Sequence, residues 1–120
     1  MADRLDELLE ELRRFVKERD WAQFHDPKNL AMLIASEAGE LLAEYRWVPN
    51  DQADAHTDDP EARARVEAEA ADVAFSLLLF LDRIGADLTD VVRAKLEVNR
   101  RNYPADEVRG RSDRPPRPEA

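Results

Sequence analysis

Residues 27–47 read PKNLAMLIASEAGELLAEYRW. Leu30, Leu33, Ile34 and Leu41 recur at three- and four-residue steps along this stretch, the spacing of one face of an α-helix rather than of a strand. Glu37 and Glu44 fall in the same stripe, Glu37 in a slot where a leucine would be expected, and Glu40 stands one turn beyond Glu37 on the flank. Asp26 before Pro27 supplies a capping acid followed by a proline at the first helical position, so the spacing predicts a helix over 27–47. Asp59-Pro60 repeats that signal and opens a second helix, expected over 60–84 and ended by Gly85. Its first half is charged, whereas Val73 to Leu81 is apolar on nearly every face, as in a helix at the centre of a bundle.

Two more helices complete the pattern. Leu5, Leu8, Leu9, Leu12, Phe15 and Val16 form an amphipathic stripe over 3–19. Asp87 caps a last helix over 88–102, with Leu88, Val91, Val92, Leu96 and Val98 expected to face inward and Tyr103-Pro104 to stop it. No segment alternates as a strand, so the expected fold is all-α, a four-helix bundle-like arrangement forming one domain over 1–108. Residues 48–59 are polar, lack periodicity and read as a long loop. The tail 109–120 is Pro- and Arg-rich with nothing to bury and is expected to be disordered.

Composition narrows the function. With no cysteine the chain has neither a disulfide framework nor a thiolate metal site nor a thiol nucleophile. No apolar run reaches membrane-spanning length, and the charged start lacks a secretion signal, so a cytoplasmic protein with no membrane partner is expected. The net charge of −9 is uneven: residues 50–72 hold eight acids against Arg63 and Arg65. That field disfavours nucleic acid. It also repels free nucleotides unless bound metal reverses the local sign and basic residues such as Lys95, Arg100 and Arg101 assist. The three glycines, Gly39, Gly85 and Gly110, allow no phosphate-cradling glycine loop. At 120 residues a homo-oligomer is expected to add stability.

Glu37-x-x-Glu40 and Glu69-x-x-Asp72 each place two carboxylates on one helix face, inside the apolar segments rather than on their polar backs. Ionised acids crowded against apolar neighbours are costly unless they take up protons or are joined by cations. Hard divalent ions answer that need, and Mg²⁺ commonly completes its octahedron with phosphate oxygens; Mn²⁺ is the natural substitute. Either pair alone is common in a charge-rich chain; two pairs on neighbouring helices favour a metal site over solvated faces. A di-iron bundle requires Glu-x-x-His on two helices, yet His25 and His56 follow Ala22 and Ala53 at that spacing.

Lys95-x-x-x-Asn99-Arg100 with Tyr103 sets phosphate-capable groups along the last turns of the fourth helix, although cations at a helix C-terminus also serve the dipole. Trp21, Phe24 and Trp47 can wall a pocket for a planar base, with His25 or Asn29 hydrogen-bonding it, or can simply be core.

Arg19-Asp20-Trp21-x-Gln23-Phe24-His25-x-Pro27-x-Asn29-Leu30, Glu37-x-x-Glu40-Leu41, Trp47, Glu69-x-x-Asp72-Val73 and Lys95-x-x-x-Asn99-Arg100-x-x-Tyr103-Pro104 together resemble the MazG-like all-α nucleoside triphosphate pyrophosphohydrolases, in particular their dCTP pyrophosphatase branch. The resemblance covers about residues 4–108. It implies hydrolysis of nucleoside triphosphates between the α- and β-phosphates, giving monophosphate and pyrophosphate in nucleotide-pool housecleaning, with dCTP or modified dCTP as candidate substrates. It implies Glu37, Glu40, Glu69 and Asp72 as Mg²⁺ ligands, and Lys95, Asn99, Arg100 and Tyr103 near the phosphates. Trp21 and Trp47 would border the base in a homodimer or homotetramer with sites at subunit interfaces. Ser36 stands where many relatives carry an additional acid, and Leu12 where dCTP-specific relatives tend to have a histidine. The alternative from another class is a non-catalytic acidic helical oligomer that docks a basic partner.

Overall fold

The computed structural model describes residues 3–113. Its helices are α1 (Arg4–Glu18), α2 (Pro27–Ala43), α3 (Ala53–Asp58), α4 (Pro60–Arg83), α5 (Leu88–Asn102) and α6 (Ala105–Val108), with 3₁₀ turns at Ala22–Phe24 and Asn50–Gln52. No strand occurs among the described residues, and the fold is all-α, as expected. The chain forms two compact units, Met1–Gly85 and Ala86–Ala120. Among the described residues no helix is long and apolar enough to cross a membrane. The expected disorder of 109–120 falls partly on residues 114–120, which lie outside the described residues.

Local chemistry sets the helix starts. The carboxylates of Asp3, Asp26, Asp59 and Asp87 accept from the backbone N–H groups of Asp6, Asn29, Ala62 and Asp90 at 2.8–3.1 Å, satisfying donors that each first turn leaves free. Gly85 ends α4 with φ +72°, a left-handed conformation that costs glycine little. The helix over 88–102 has the expected bounds, and α4 stops one residue earlier than expected.

Two expectations need correction. The helix expected to reach Trp47 ends at Ala43, and Glu44–Trp47 form tight turns in which Tyr45 N–H donates to Leu42 O at 2.9 Å. Pro49 disfavours helical geometry at Val48, and the Tyr45 hydroxyl is held by Thr57 Oγ1 at 2.6 Å. The expected loop 48–59 is largely ordered as the Asn50–Gln52 turn and α3. Thr57 donates to Ala53 O at 2.9 Å, and His56 meets the Tyr45 ring edge-on with centroids 5.5 Å apart. A helix of six residues is too short to show a period, and it is held by Tyr45 and by packing against α4.

In the first unit α2 packs along α4, with α1 laid against them. Val16, Leu30 and Leu79 form the buried centre, surrounded by Phe15, Phe75 and Phe80. Phe15 stacks edge-on against both Phe75 and Trp21, at 5.8 and 5.6 Å. Arg13 of α1 reaches Asp82 of α4 through two contacts at 2.6 and 3.1 Å, and this pairing raises the guanidinium pKa further. Both side chains meet solvent, so the pair fixes register more than it adds stability. Of the α5 stripe expected to face inward, Leu88 and Val98 are half-buried, whereas Val91, Val92 and Leu96 retain 41%, 55% and 46% of their surface in the single chain.

Leu30→Ala should destabilise the fold by about 2–5 kcal/mol through lost burial and a residual cavity. Asp59→Ala should cost about 1 kcal/mol through the lost cap. Urea denaturation followed by far-UV circular dichroism tests both; a Leu30→Ala midpoint equal to the parent's would overturn the core assignment.

Candidate metal centre

α2 carries Glu37 and Glu40 one turn apart, and α4 carries Glu69 and Asp72 at the same spacing. The structure brings all four together: each offers a carboxylate oxygen, and these atoms lie within 4.8 Å of one another. Glu40 lies ten residues after Leu30, and Glu69 ten before Leu79. The two helices therefore run in opposite directions, with the apolar centre about 15 Å along the axis from the acids. That centre fixes how far apart the helices sit, and so brings the carboxylates face to face.

Within the cluster the acids divide into an inner and an outer pair. Glu37 and Glu69 are half-buried, whereas Glu40 and Asp72 are exposed. Oε2 of Glu37 and Oε2 of Glu69 are buried without a hydrogen-bond partner. Desolvation pushes the pKa values of both inner acids above the ordinary carboxylate range, and hydrogen bonding to Glu40 and the negative charges of Glu40 and Asp72 push them further. None of the four joins an ion pair among the described residues. The donor set is all oxygen, negatively charged and open on one side, which suits a hard divalent cation and leaves room for ligands from outside.

Glu44 was legible only as a member of the α2 stripe. It lies one turn beyond Glu40, its charge also raises the pKa of Glu69, and its carboxylate accepts from Arg65 Nε at 3.2 Å. Arg65, one turn before Glu69 on α4, is thus engaged by Glu44.

The residues expected to hold a base are dispersed. Trp21 is 43% exposed with its ring against Phe15, and Trp47 is 88% exposed. They belong to segments at opposite ends of α2, whose 17 residues rise about 25 Å. His25 lines a separate cavity of about 290 Å³ with Lys17, Leu79 and Arg83, which places it two to three turns along α4 from Asp72. The Asn29 amide donates to Phe24 O at 3.1 Å and so braces the entry to α2. In the second unit, Lys95, Asn99 and Tyr103 line one cavity of about 560 Å³. Arg100 is engaged by Glu97 on its own helix.

No family model matches the chain. Among known proteins, dCTP pyrophosphatase 1 of Bos taurus is 37% identical over 106 residues, covering 85% of this chain and 63% of that protein. The Homo sapiens dCTP pyrophosphatase 1 is 37% identical over 108 residues, 87% of this chain and 64% of its own length. The chain thus spans less than two thirds of these relatives. A crystal structure of a pyrophosphatase from Archaeoglobus fulgidus superposes with a TM-score of 0.81 at 35% identity, covering 87% of this chain and 95% of that one. Identity at this level over nearly the whole of that structure, together with the shared all-α fold, shows that the chain belongs to the MazG-like superfamily of all-α nucleoside triphosphate pyrophosphohydrolases.

Proposed function

We propose that this protein hydrolyses nucleoside triphosphates, dCTP or a modified dCTP among them, to the monophosphate and pyrophosphate with the help of Mg²⁺. One observation carries the reading: four carboxylates converge within 4.8 Å, and two of their oxygens are buried without a partner. The relatives named dCTP pyrophosphatase 1 support the substrate class. Glu37, Glu40, Glu69 and Asp72 would hold the metal, with Mn²⁺ able to replace Mg²⁺. When bound, the cation supplies positive charge for the polyphosphate and favours ionisation of water. The inner pair, Glu37 and Glu69, anchors the site. The outer pair, Glu40 and Asp72, faces the side from which substrate arrives and can take up the proton that water releases. Water oxygen bonds to the α-phosphorus, the bond to the bridging oxygen of the β-phosphate breaks, and pyrophosphate leaves.

In the second unit Lys95, Asn99 and Tyr103 offer donors to phosphate oxygens, with Arg100 available to them if it exchanges Glu97 for substrate. Trp21 and Trp47 remain the proposed base contacts, with His25 and Asn29 acting through the segment between Trp21 and α2. A homodimer or homotetramer accounts for the exposed apolar side chains, since Trp47, Leu42, Met32 and Val92 are each more than half accessible in the single chain. In such an assembly a tryptophan from one copy can complete a base site that one chain leaves open. The non-catalytic acidic oligomer is not favoured, because it gives no role to the unpartnered oxygens of Glu37 and Glu69.

Glu37→Gln should lower kcat/KM by at least about 10²-fold while retaining fold and oligomeric state, since it removes an anchoring ligand. Pyrophosphate release from dCTP measures this, and parental turnover would refute the ligand assignment. Trp47→Ala should raise KM more than it lowers kcat; an unchanged KM would remove Trp47 from the base site.

The pH dependence follows from the raised inner acids. Between the ordinary carboxylate pKa, about 4.3, and their folded values, the native chain binds more protons than the unfolded one. Stability of the metal-free protein is therefore fully present at low pH with respect to these groups, and falls as pH rises through their folded pKa values. Added Mg²⁺ should raise Tm at neutral pH and have less effect on acidification toward that range, because protons and metal compete. Thermal melts in EDTA and in Mg²⁺ across this window test the coupling. Glu37→Gln should raise the metal-free Tm at neutral pH and shrink the Mg²⁺ response; the opposite pair of changes would exclude charge crowding as the cause.

A further inference from the structure

The cavity of about 560 Å³ in the second unit has a wall that the pattern of α5 does not reveal. Beside Lys95, Asn99 and Tyr103 it is lined by Arg111 and Asp113, from the segment whose composition reads as a tail. A built turn puts them there. Gly110 has φ +74°, Arg111 N–H donates to Val108 O at 3.0 Å, and the chain is thereby folded back after α6. Nothing lies within 4 Å of where a Cβ on Gly110 would be, so glycine is required for its backbone conformation and not for space.

Arg111 meets Asp113 in a two-pronged contact, Nε to Oδ1 at 3.1 Å and Nη2 to Oδ2 at 2.5 Å. This planar fork is the geometry with which arginine takes a carboxylate or a phosphate alike. Asp113 is held below the ordinary carboxylate range by that guanidinium. Both side chains are more than half exposed, so the pair is cheap to exchange in water.

We propose that Arg111 is a phosphate ligand of this cavity, acting with Lys95, Asn99 and Tyr103, and that Asp113 occupies its fork until a polyphosphate anion displaces it. The carboxylate presents two oxygens to the fork, as a phosphate group does, and the cavity already offers an ammonium, an amide and a phenol. Asp113 thus keeps the guanidinium oriented while lowering affinity for competing anions. For a nucleoside triphosphate as the occupant, the inference rests on the function proposed above; for a polyphosphate as such, it rests on the cavity alone.

Steady-state hydrolysis of dCTP by the full chain is the primary measurement. Arg111→Ala should raise KM about tenfold, the loss expected of one charge-assisted contact, with a much smaller change in kcat. Arg111→Lys, which keeps the charge and loses the fork, should fall between. Asp113→Asn should lower KM, and its effect should vanish in the Arg111→Ala background. An unchanged KM in Arg111→Ala, or a raised KM in Asp113→Asn, would overturn the proposal while leaving the hydrolase reading intact. If the parent protein cleaves no triphosphate, the hydrolase reading fails. Calorimetric titration with inorganic tripolyphosphate then decides the inference: weaker binding by Arg111→Ala than by the parent supports it, and equal or absent binding in both rejects it.

Discussion

Four carboxylates held face to face, none of them ion-paired among the described residues, are the constraint around which the first unit is arranged. Helices carrying like charges at one level would rotate or separate if nothing else fixed them. They are fixed by Leu30, Leu79 and Val16 at the far end of the α2–α4 pair, and by Arg13 and Asp82, which set α1 against α4. Stability and charge crowding are thus placed at different heights along the same two helices. The apolar centre supplies the free energy, and the acids about 15 Å away consume part of it. A cation bound at such a site would relieve repulsion that the fold already holds.

Arg65 shows how finely that charge is apportioned. It sits one turn before Glu69 on α4, close enough to the acidic face to neutralise part of it, yet its Nε bonds Glu44. Glu44 takes up this cation, and among the described residues the cluster of four is left without an ion pair. Had Arg65 reached Glu69, the buried Oε2 would have a partner and the drive to bind metal would weaken. The fifth acid is therefore part of the site's electrostatics without being among its converging oxygens.

Much of this was legible in the residues. Asp26-Pro27, Asp59-Pro60 and Asp87 mark helix starts because capping is a local interaction, and the two acid pairs could be placed on helix faces because a period of 3.6 residues suffices. What depends on distant partners was not legible. α3 is held by Tyr45 and Thr57, which no window of sequence joins, so residues 48–59 read as loop. The apolar stripe of α5 is a correct periodicity, but periodicity does not say what covers it, and Val91, Val92 and Leu96 are exposed in the single chain. Trp21, Phe24 and Trp47 read as able to wall one pocket, and within a single chain the 17-residue length of α2 sets Trp21 and Trp47 at its two ends. Arg111 was hidden by the composition around it, although Gly110 was the available signal for a turn.

The overall charge gives the proposed chemistry a direction. A chain of net charge −9 does not attract a triphosphate through its general field, and its acidic cluster repels one outright. On the proposed reading, a cation held by Glu37, Glu40, Glu69 and Asp72 would reverse that sign locally, and a triphosphate would offer it further oxygens. Each ligand would then raise the affinity for the other by the same factor, since the coupling between two binding events is reciprocal. The same linkage would discriminate against monophosphates, which carry less charge and fewer oxygens than a triphosphate. On that proposal, selection for the polyphosphate chain would be a property of the acids themselves.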